Sequence, residues 1–243
     1  VKKTKVLIAC EESQAVCIEF RKLGFEAYSC DIQECSGGYP EWHLQMDVFE
    51  AIDLIKPGLM IGFPPCTDLA NAGGSWFERK RKNGSQKKSI EFFFKLLSSP
   101  VEFIALENPV GILCSNYINV HFPELLPELK KVNLPRKPDQ VIQPFYFGDP
   151  VRKYTCLWLK NLPPLVWTEN DDMFTKSNYV KPIEPIGDYV RKGKYRTGTK
   201  RKKYWQDMLP KKDRAKIKSK TFPGIAKAMA EQWSDFLINK QTI

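Results

Sequence analysis

The chain has 243 residues, with 38 Lys and Arg against 28 Asp and Glu, a formal net charge of +10 and 42% hydrophobic residues. That length suits one substantial α/β domain with a small appended lobe, and no apolar run approaches the roughly 20 residues needed to span a bilayer. Seven cysteines without a Cys-x-x-Cys spacing speak against a disulfide framework, and two isolated histidines, His43 and His121, against zinc, so no metal is expected.

In chain order, the basic start Val1-Lys2-Lys3-Thr4-Lys5 leads into the short apolar run Lys5 to Cys10, with the look of a buried parallel strand, rather than into a secretory segment. A cytoplasmic location is expected, that of a host cell if the protein is viral, with no membrane partner. Glu11 to Leu23 follows as a helix with Val16, Phe20 and Leu23 at helical spacing, and Gly24 ends it. Phe25 to Cys30 is the next strand, so the opening is a βαβ unit ending at Asp31. An acid there can accept hydrogen bonds from a ribose, or can serve as a loop or cap carboxylate. After Ser36-Gly37-Gly38 come the stretch His43 to Met46 and a helix from Val48 to Ile55 headed by Asp47, an N-cap as much as a ligand.

The apolar run Gly58 to Ile61 then stops at Gly62-Phe63-Pro64-Pro65-Cys66-Thr67. The prolines lack backbone donors and fix φ, so they end sheet pairing and present Cys66 in one stiff direction. Trp76 to Lys88 is polar and basic and reads as a mobile loop, and Ser89 to Leu97 as a helix with Ile90, Phe93, Phe94 and Leu97 inward. The strand Val101 to Leu106 ends in Glu107-Asn108-Pro109. Cysteine and carboxylate thus stand at two strand ends, where open α/β sheets gather their chemistry. Taken singly, each has a plainer reading, as a small buried hydrophobe and as a turn residue. Together, in order and each after a strand, they favour a common site.

A hairpin follows, Gln140 to Phe147 and Tyr154 to Lys160, joined by Phe147-Gly148-Asp149-Pro150-Val151-Arg152-Lys153. Residues 191–220 hold 14 Lys and Arg against two acids, Asp207 and Asp213, an excess larger than the +10 of the whole chain. Such a run is either a solvated face or a surface for nucleic acid. Tyr189, Tyr195, Tyr204 and Trp205 interleave with it on a flexible stretch, which suits bases and phosphates. Lys200, Arg201, Lys202, Lys203, Tyr204 and Trp205 are the candidate contacts. The chain closes on a helix from Gly224 to Asn239 with Ile225, Met229, Trp233 and Phe236 along one face.

Pro65-Cys66 and Glu107-Asn108 resemble the nucleophile and acid motifs of the C5-cytosine methyltransferases. The Gly148 to Lys153 joint is similar to that family's Gly-x-Pro-Gln-x-Arg-x-Arg, and Thr221-Phe222-Pro223 to its closing Asn-Ser-Val-Pro. The resemblance covers nearly the whole length, in the form of a compact, phage-type member with a reduced target-recognition region. It implies a Rossmann-like class I methyltransferase sheet with helices on both faces plus a small basic lobe. The corresponding division is a catalytic domain over 1–160, a target-recognition lobe over 161–220 and a returning helix over 221–243. It further implies S-adenosylmethionine as cofactor and DNA as partner, duplex with a flipped cytosine or single-stranded, with RNA as another possibility and a monomer expected. Cys66 would attack C6 of cytosine to activate C5, Glu107 would protonate N3, and Arg152 is the basic candidate, with an exposed turn arginine as its plainer reading. Asp31 would take the ribose and Asp47 would lie near the adenine, with Cys10, Glu11, Ser13, Pro64 and Thr221 completing the cofactor site.

The first turn departs from the family. Its glycines are replaced by Cys10-Glu11-Glu12-Ser13-Gln14, an acidic turn with a serine cap that still suits a sulfonium and an ammonium. Two rivals remain. An amino-methyltransferase would need an acceptor before the prolines and an aromatic after them, where Phe63 and Cys66 stand. A non-catalytic nucleic-acid binder on a decayed scaffold would have lost cofactor binding.

Overall fold

The computed structural model describes residues 4–171, 177–185, 210 and 220–240, and 187–190 and 200–203 as backbone. Seven strands form one sheet: β1 (Val6–Ala9), β2 (Ala27–Asp31), β3 (His43–Gln45), β4 (Leu59–Gly62), β5 (Phe103–Pro109), β6 (Gln140–Ile142) and β7 (Thr155–Lys160). Their spatial order is β3-β2-β1-β4-β5-β7-β6. The first five are parallel, and β7 runs antiparallel to both β5 and β6. This is the doubly wound order with one reversed strand inserted beside β5, a Rossmann-like sheet with helices on both faces.

Side chains alternate along each strand and so feed two cores. Val6 and Ile8 of β1, with Leu59, Ile61, Phe103 and Leu157, pack under α1 (Ala15–Lys22) and the C-terminal helix. Leu7 and Ala9, with Met60, Ile104, Leu106 and Trp158, pack under α2 (Val48–Ile55) and the helix Ser85–Leu97. Strands buried on both faces read as unbroken apolar runs, which is why β1, β4 and β5 are visible in the sequence without any alternation.

Three sequence expectations are corrected. The first helix begins at Ala15, not Glu11. Cys10 and Gln14 both take left-handed backbone, φ 58° and 59°, which holds the intervening residues out of the helix. Residues 76–88 are not a loop: α3 (Phe77–Lys82) and α4 (Ser85–Leu97) fold there, joined by Gly84 at φ +77°. Their charges face outward while Lys80, Gln86 and Ile90 are buried, so composition concealed an inner face. Two short helices, α5 (Tyr117–His121) and α6 (Leu126–Leu129), follow β5, and α7 (Pro223–Lys240) closes the chain. Lys200–Lys203, expected on a flexible stretch, form β9, paired antiparallel with β8 (Gly187–Val190). Tyr204 and Trp205 lie outside the described residues, as does most of 191–220.

Candidate active site

Parallel pairing brings Gly62, the end of β4, opposite Leu106 of β5, so the loop after β4 emerges beside Glu107 and Asn108, near the end of β5 at the carboxyl edge. The two ends are tied directly: Asn108, fully buried, donates from Nδ2 to the Pro64 carbonyl at 3.1 Å. Beyond them the two loops are laced by backbone bonds, Asn71 N to Val110 O at 3.1 Å and Ile112 N to Leu69 O at 2.9 Å, with an Ala70–Gly111 bridge. Gly111 is required by that close approach, since a Cβ there would lie 2.0 Å from the Leu69 carbonyl oxygen. Cys66 stands exposed at the head of this loop, and its carbonyl accepts from Leu69 N and Ala70 N at 3.1 and 2.9 Å.

Glu107 sits inside. Its Oε1 is buried with no hydrogen-bond partner among the described residues. Burial pushes its carboxyl above the usual range, and the nearby Lys153 opposes that rise in part. A small cavity joins Glu107 to Lys153, Thr155, Thr221 and Phe222, and Phe63 lines both this cavity and a larger one. The larger crevice, about 190 Å³, is lined by Cys10, Glu11, Glu12, Ser13, Asp31, Gln33, Phe63, Pro65, Lys220 and Thr221. It lies at the carboxyl ends of β1, β2 and β4, where a doubly wound sheet takes its ligand.

The turn after β1 is held by side chains in place of glycines. Glu11, 4% exposed, turns its carboxylate onto the start of α1 and accepts from Val16 N at 2.8 Å and Cys17 N at 3.3 Å. Burial nevertheless lifts its pKa to about 7 against that stabilisation. Gln14, fully buried, bonds both backbone groups of Tyr39, donating to its carbonyl at 2.8 Å and accepting from its amide at 3.0 Å. Gly37 lies so close that a Cβ there would be 2.6 Å from the Ser13 carbonyl oxygen. Burial and the neighbouring Asp31 push the Cys10 thiol up to about 12, with Cys30 and Asp47 adding to the rise, so Cys10 lines the crevice as an inert thiol.

No protein-family model and no curated protein sequence matches the chain. The solved structures it resembles are methyltransferases. One is an E. coli prophage protein described as a DNA modification methyltransferase, at 13% identity and TM-score 0.42 over 65% of this chain and 46% of that one. A second is the Entamoeba histolytica methyltransferase EhMeth, at 16% identity and TM-score 0.45 over 79% and 61%. The S. pombe Dnmt2 methyltransferase matches at 13% identity and TM-score 0.42 over 67% and 51%. The chain therefore spans about half to three fifths of the length of these proteins. Strand order and direction carry the fold assignment, independently of that likeness.

The crevice collects Cys10, Glu11, Ser13, Asp31 and Thr221 of the residues singled out in the sequence. Asp31 also closes a local turn, accepting from Gln33 N at 2.9 Å. Asp47 caps α2, accepting from Phe49 N at 2.8 Å, and lies beside the crevice rather than lining it. Pro64 is turned toward Asn108, and its neighbours Phe63 and Pro65 face the crevice instead. The expected serine cap is absent, because the Glu11 carboxylate caps α1 in its place.

Arg152 is the clearest displacement. It pairs with Glu184 at 3.5 Å and lies over the Phe145 ring, while Lys153 enters the cavity with Glu107. Both residues lie in the irregular stretch just before β7, and the Lys153 amide there donates to Gln143 Oε1 at 2.9 Å. A signal was present in the sequence: counting Gly-x-Pro-Gln-x-Arg from Gly148 puts Lys153, not Arg152, at the first arginine. Glu12 was also passed over. Its Oε2 is buried and has no hydrogen-bond partner among the described residues, and Glu12 lines the crevice. No helix among the described residues is long and apolar enough to cross a membrane, and no three His, Cys, Asp or Glu side chains among them cluster as a metal site would need.

Proposed function

We propose that the chain is a methyltransferase acting on C5 of cytosine in nucleic acid, with DNA as the substrate class, Cys66 as nucleophile and Glu107 as acid. The observation that carries this reading is the juxtaposition of an exposed cysteine loop with a buried carboxyl, raised above its usual pKa by burial, near the end of the adjacent strand, tied by Asn108 to Pro64. C5 of cytosine is too weak a nucleophile to react unaided. Cys66 supplies electrons by forming a bond from sulfur to C6, and the negative charge pushed into the ring is met at N3 by the proton of Glu107. Burial raises the Glu107 carboxyl above the usual range, and that direction favours the protonated form this step needs. Lys153 stands where it can steady the carboxylate left after transfer. The base must leave its stack to reach a cavity of this kind, or be single-stranded already.

The crevice fits S-adenosylmethionine by charge. Glu12 and Asp31 line it, and the orphaned Oε2 of Glu12 is a partner in waiting for a cationic group. Glu12, Asp31 and Thr221 would hold the cofactor, which when bound supplies an electrophilic methyl group. The basic segment 191–220, with Lys200, Arg201, Lys202 and Lys203, would lie along the phosphates.

The test is nucleoside mass spectrometry of DNA and RNA from cells expressing the chain, with Cys66→Ala as control. A rise of one methyl on deoxycytidine that Cys66→Ala abolishes is expected. Methylation of RNA cytosine alone would reassign the substrate, and no modified cytosine in either, with no binding of cofactor, would favour the non-catalytic binder.

A further inference from the structure

Lysine is almost never buried unless it is paired, yet the Lys80 side chain is only 11% exposed. Its ammonium pairs with Asp68 Oδ1 at 3.1 Å, donates to the Thr67 carbonyl and packs against Gly73, where a Cβ would lie 3.1 Å from Nζ. Asp68 is held from two further directions: Ser89 Oγ donates to Oδ2 at 3.2 Å and Gln86 Nε2 to its carbonyl at 3.0 Å. Gln86 in turn accepts from Tyr117 OH at 3.1 Å, and Arg81 donates to that hydroxyl. The network thus runs from α5 through α4 and α3 and ends on the two residues directly after Cys66.

The turn it grips is the one that aims the thiol. Cys66 O accepts from Leu69 N and Ala70 N, which leaves the Thr67 carbonyl pointing away from the turn. Lys80 is the donor that meets it. Without that cation a carbonyl and a carboxylate would stand together with no counter-charge, and the turn would have to open to hydrate them.

We propose that Lys80 is the positioning residue for Cys66. It acts through Thr67 and Asp68, keeping the Cys66–Ala70 turn in the one geometry from which sulfur reaches the base. The cation does not contact the nucleic acid. The proposal rests on the reading of Cys66 as nucleophile, and a misplacement of about an ångström at such a group lowers rates by about a hundredfold.

Two measurements on the full chain separate the proposal from that reading. The first is amide hydrogen exchange of Leu69 and Ala70, read without substrate. Lys80→Met should speed it about tenfold or more while the amides of β1 and β4 keep their protection. The second is the single-turnover rate of covalent adduct formation on DNA containing 5-fluorocytosine, with S-adenosylmethionine present. Lys80→Met should slow it about 10- to 100-fold at saturating DNA and change DNA affinity by less than about twofold. Should Lys80→Met fail to fold, Asp68→Asn keeps the bond to Thr67 and should move both readouts in the same direction by less. Unchanged exchange at Leu69 and Ala70 overturns the proposal, as does an affinity loss with an unaltered saturated rate, which would make Lys80 a phosphate contact. Absence of any adduct in the unmodified protein, with exchange responding as expected, would count against the methyltransferase reading and leave Lys80 as the pin of that turn.

Discussion

The turn after β1 and the paired loops after β4 and β5 stand at the same edge of the sheet and are stabilised in opposite ways. The Cys66 and Glu107 loops are held by backbone bonds, with Gly111 where two backbones meet too closely for a side chain. The turn after β1 has no glycine and places two ordinary residues, Cys10 and Gln14, at positive φ. Side chains compensate there: Glu11 caps α1 and Gln14 mimics a backbone partner for Tyr39. One region is thus laced by main-chain bonds with the Lys80 and Asn108 side chains added, and the other is braced almost wholly by its own buried polar side chains. The exposed Cys66 side chain takes no part in the loop's backbone bonds and can change without unfolding, whereas the buried Glu11 and Gln14 side chains cannot.

Cys66→Ala gives the largest expected effect, complete loss of adduct and transfer with an unchanged melting temperature, because Cys66 is exposed and the loop bonds use its backbone. A fall in stability alongside the loss of activity would break the contrast between the two regions. Glu107→Gln should follow, lowering turnover by roughly 10²- to 10⁴-fold, the range for a positioned acid, while DNA affinity changes little. Normal turnover in that variant would make Glu107 structural. Lys153→Met should lower turnover by about tenfold, whereas Arg152→Met should leave it within about twofold, since Arg152 faces Glu184 and Phe145. Steady-state kinetics on the pair decides between the two positions, and the reverse ranking would restore Arg152.

A separate effect, on stability instead of turnover, belongs to the side-chain-braced turn. Glu11 has a folded pKa of about 7 against an ordinary 4.5, so between those values the folded state holds more protons than the unfolded one. Its stabilising contribution is therefore complete below pH 4.5 and is lost as the pH rises through 7, on the order of 3 kcal/mol in all. Glu107, also raised, acts with the same sign. Urea melts across pH 4.5 to 8 should show stability falling with pH, and Glu11→Gln should flatten that slope. A slope unchanged in Glu11→Gln would mean the carboxylate is hydrated and the brace is weaker than drawn.

Sequence alone determined much of the scaffold, because its information there is local and one-dimensional. Apolar runs buried on both faces mark β1, β4 and β5, the Asp47 cap and helical spacing mark Val48–Ile55, and two prolines mark where β4 must stop. The order of those elements also sufficed to set Cys66 and Glu107 at adjacent strand ends. Tertiary structure decided where individual side chains point. Arg152 and Lys153 are neighbours in sequence, and only the folded chain sets one against Glu184 and the other beside Glu107. Residues 76–88 look solvated by composition, and only packing against α5 reveals that Phe77 and Lys80 form an inner face. Glu11 reads as a ligand for a cation until α1 is seen to start at Ala15, within reach of its carboxylate. A charged side chain has no fixed role in a pattern of residues. Its role is set by which donor, acceptor or opposite charge the fold brings within a few ångströms, and that is a property of distant segments meeting.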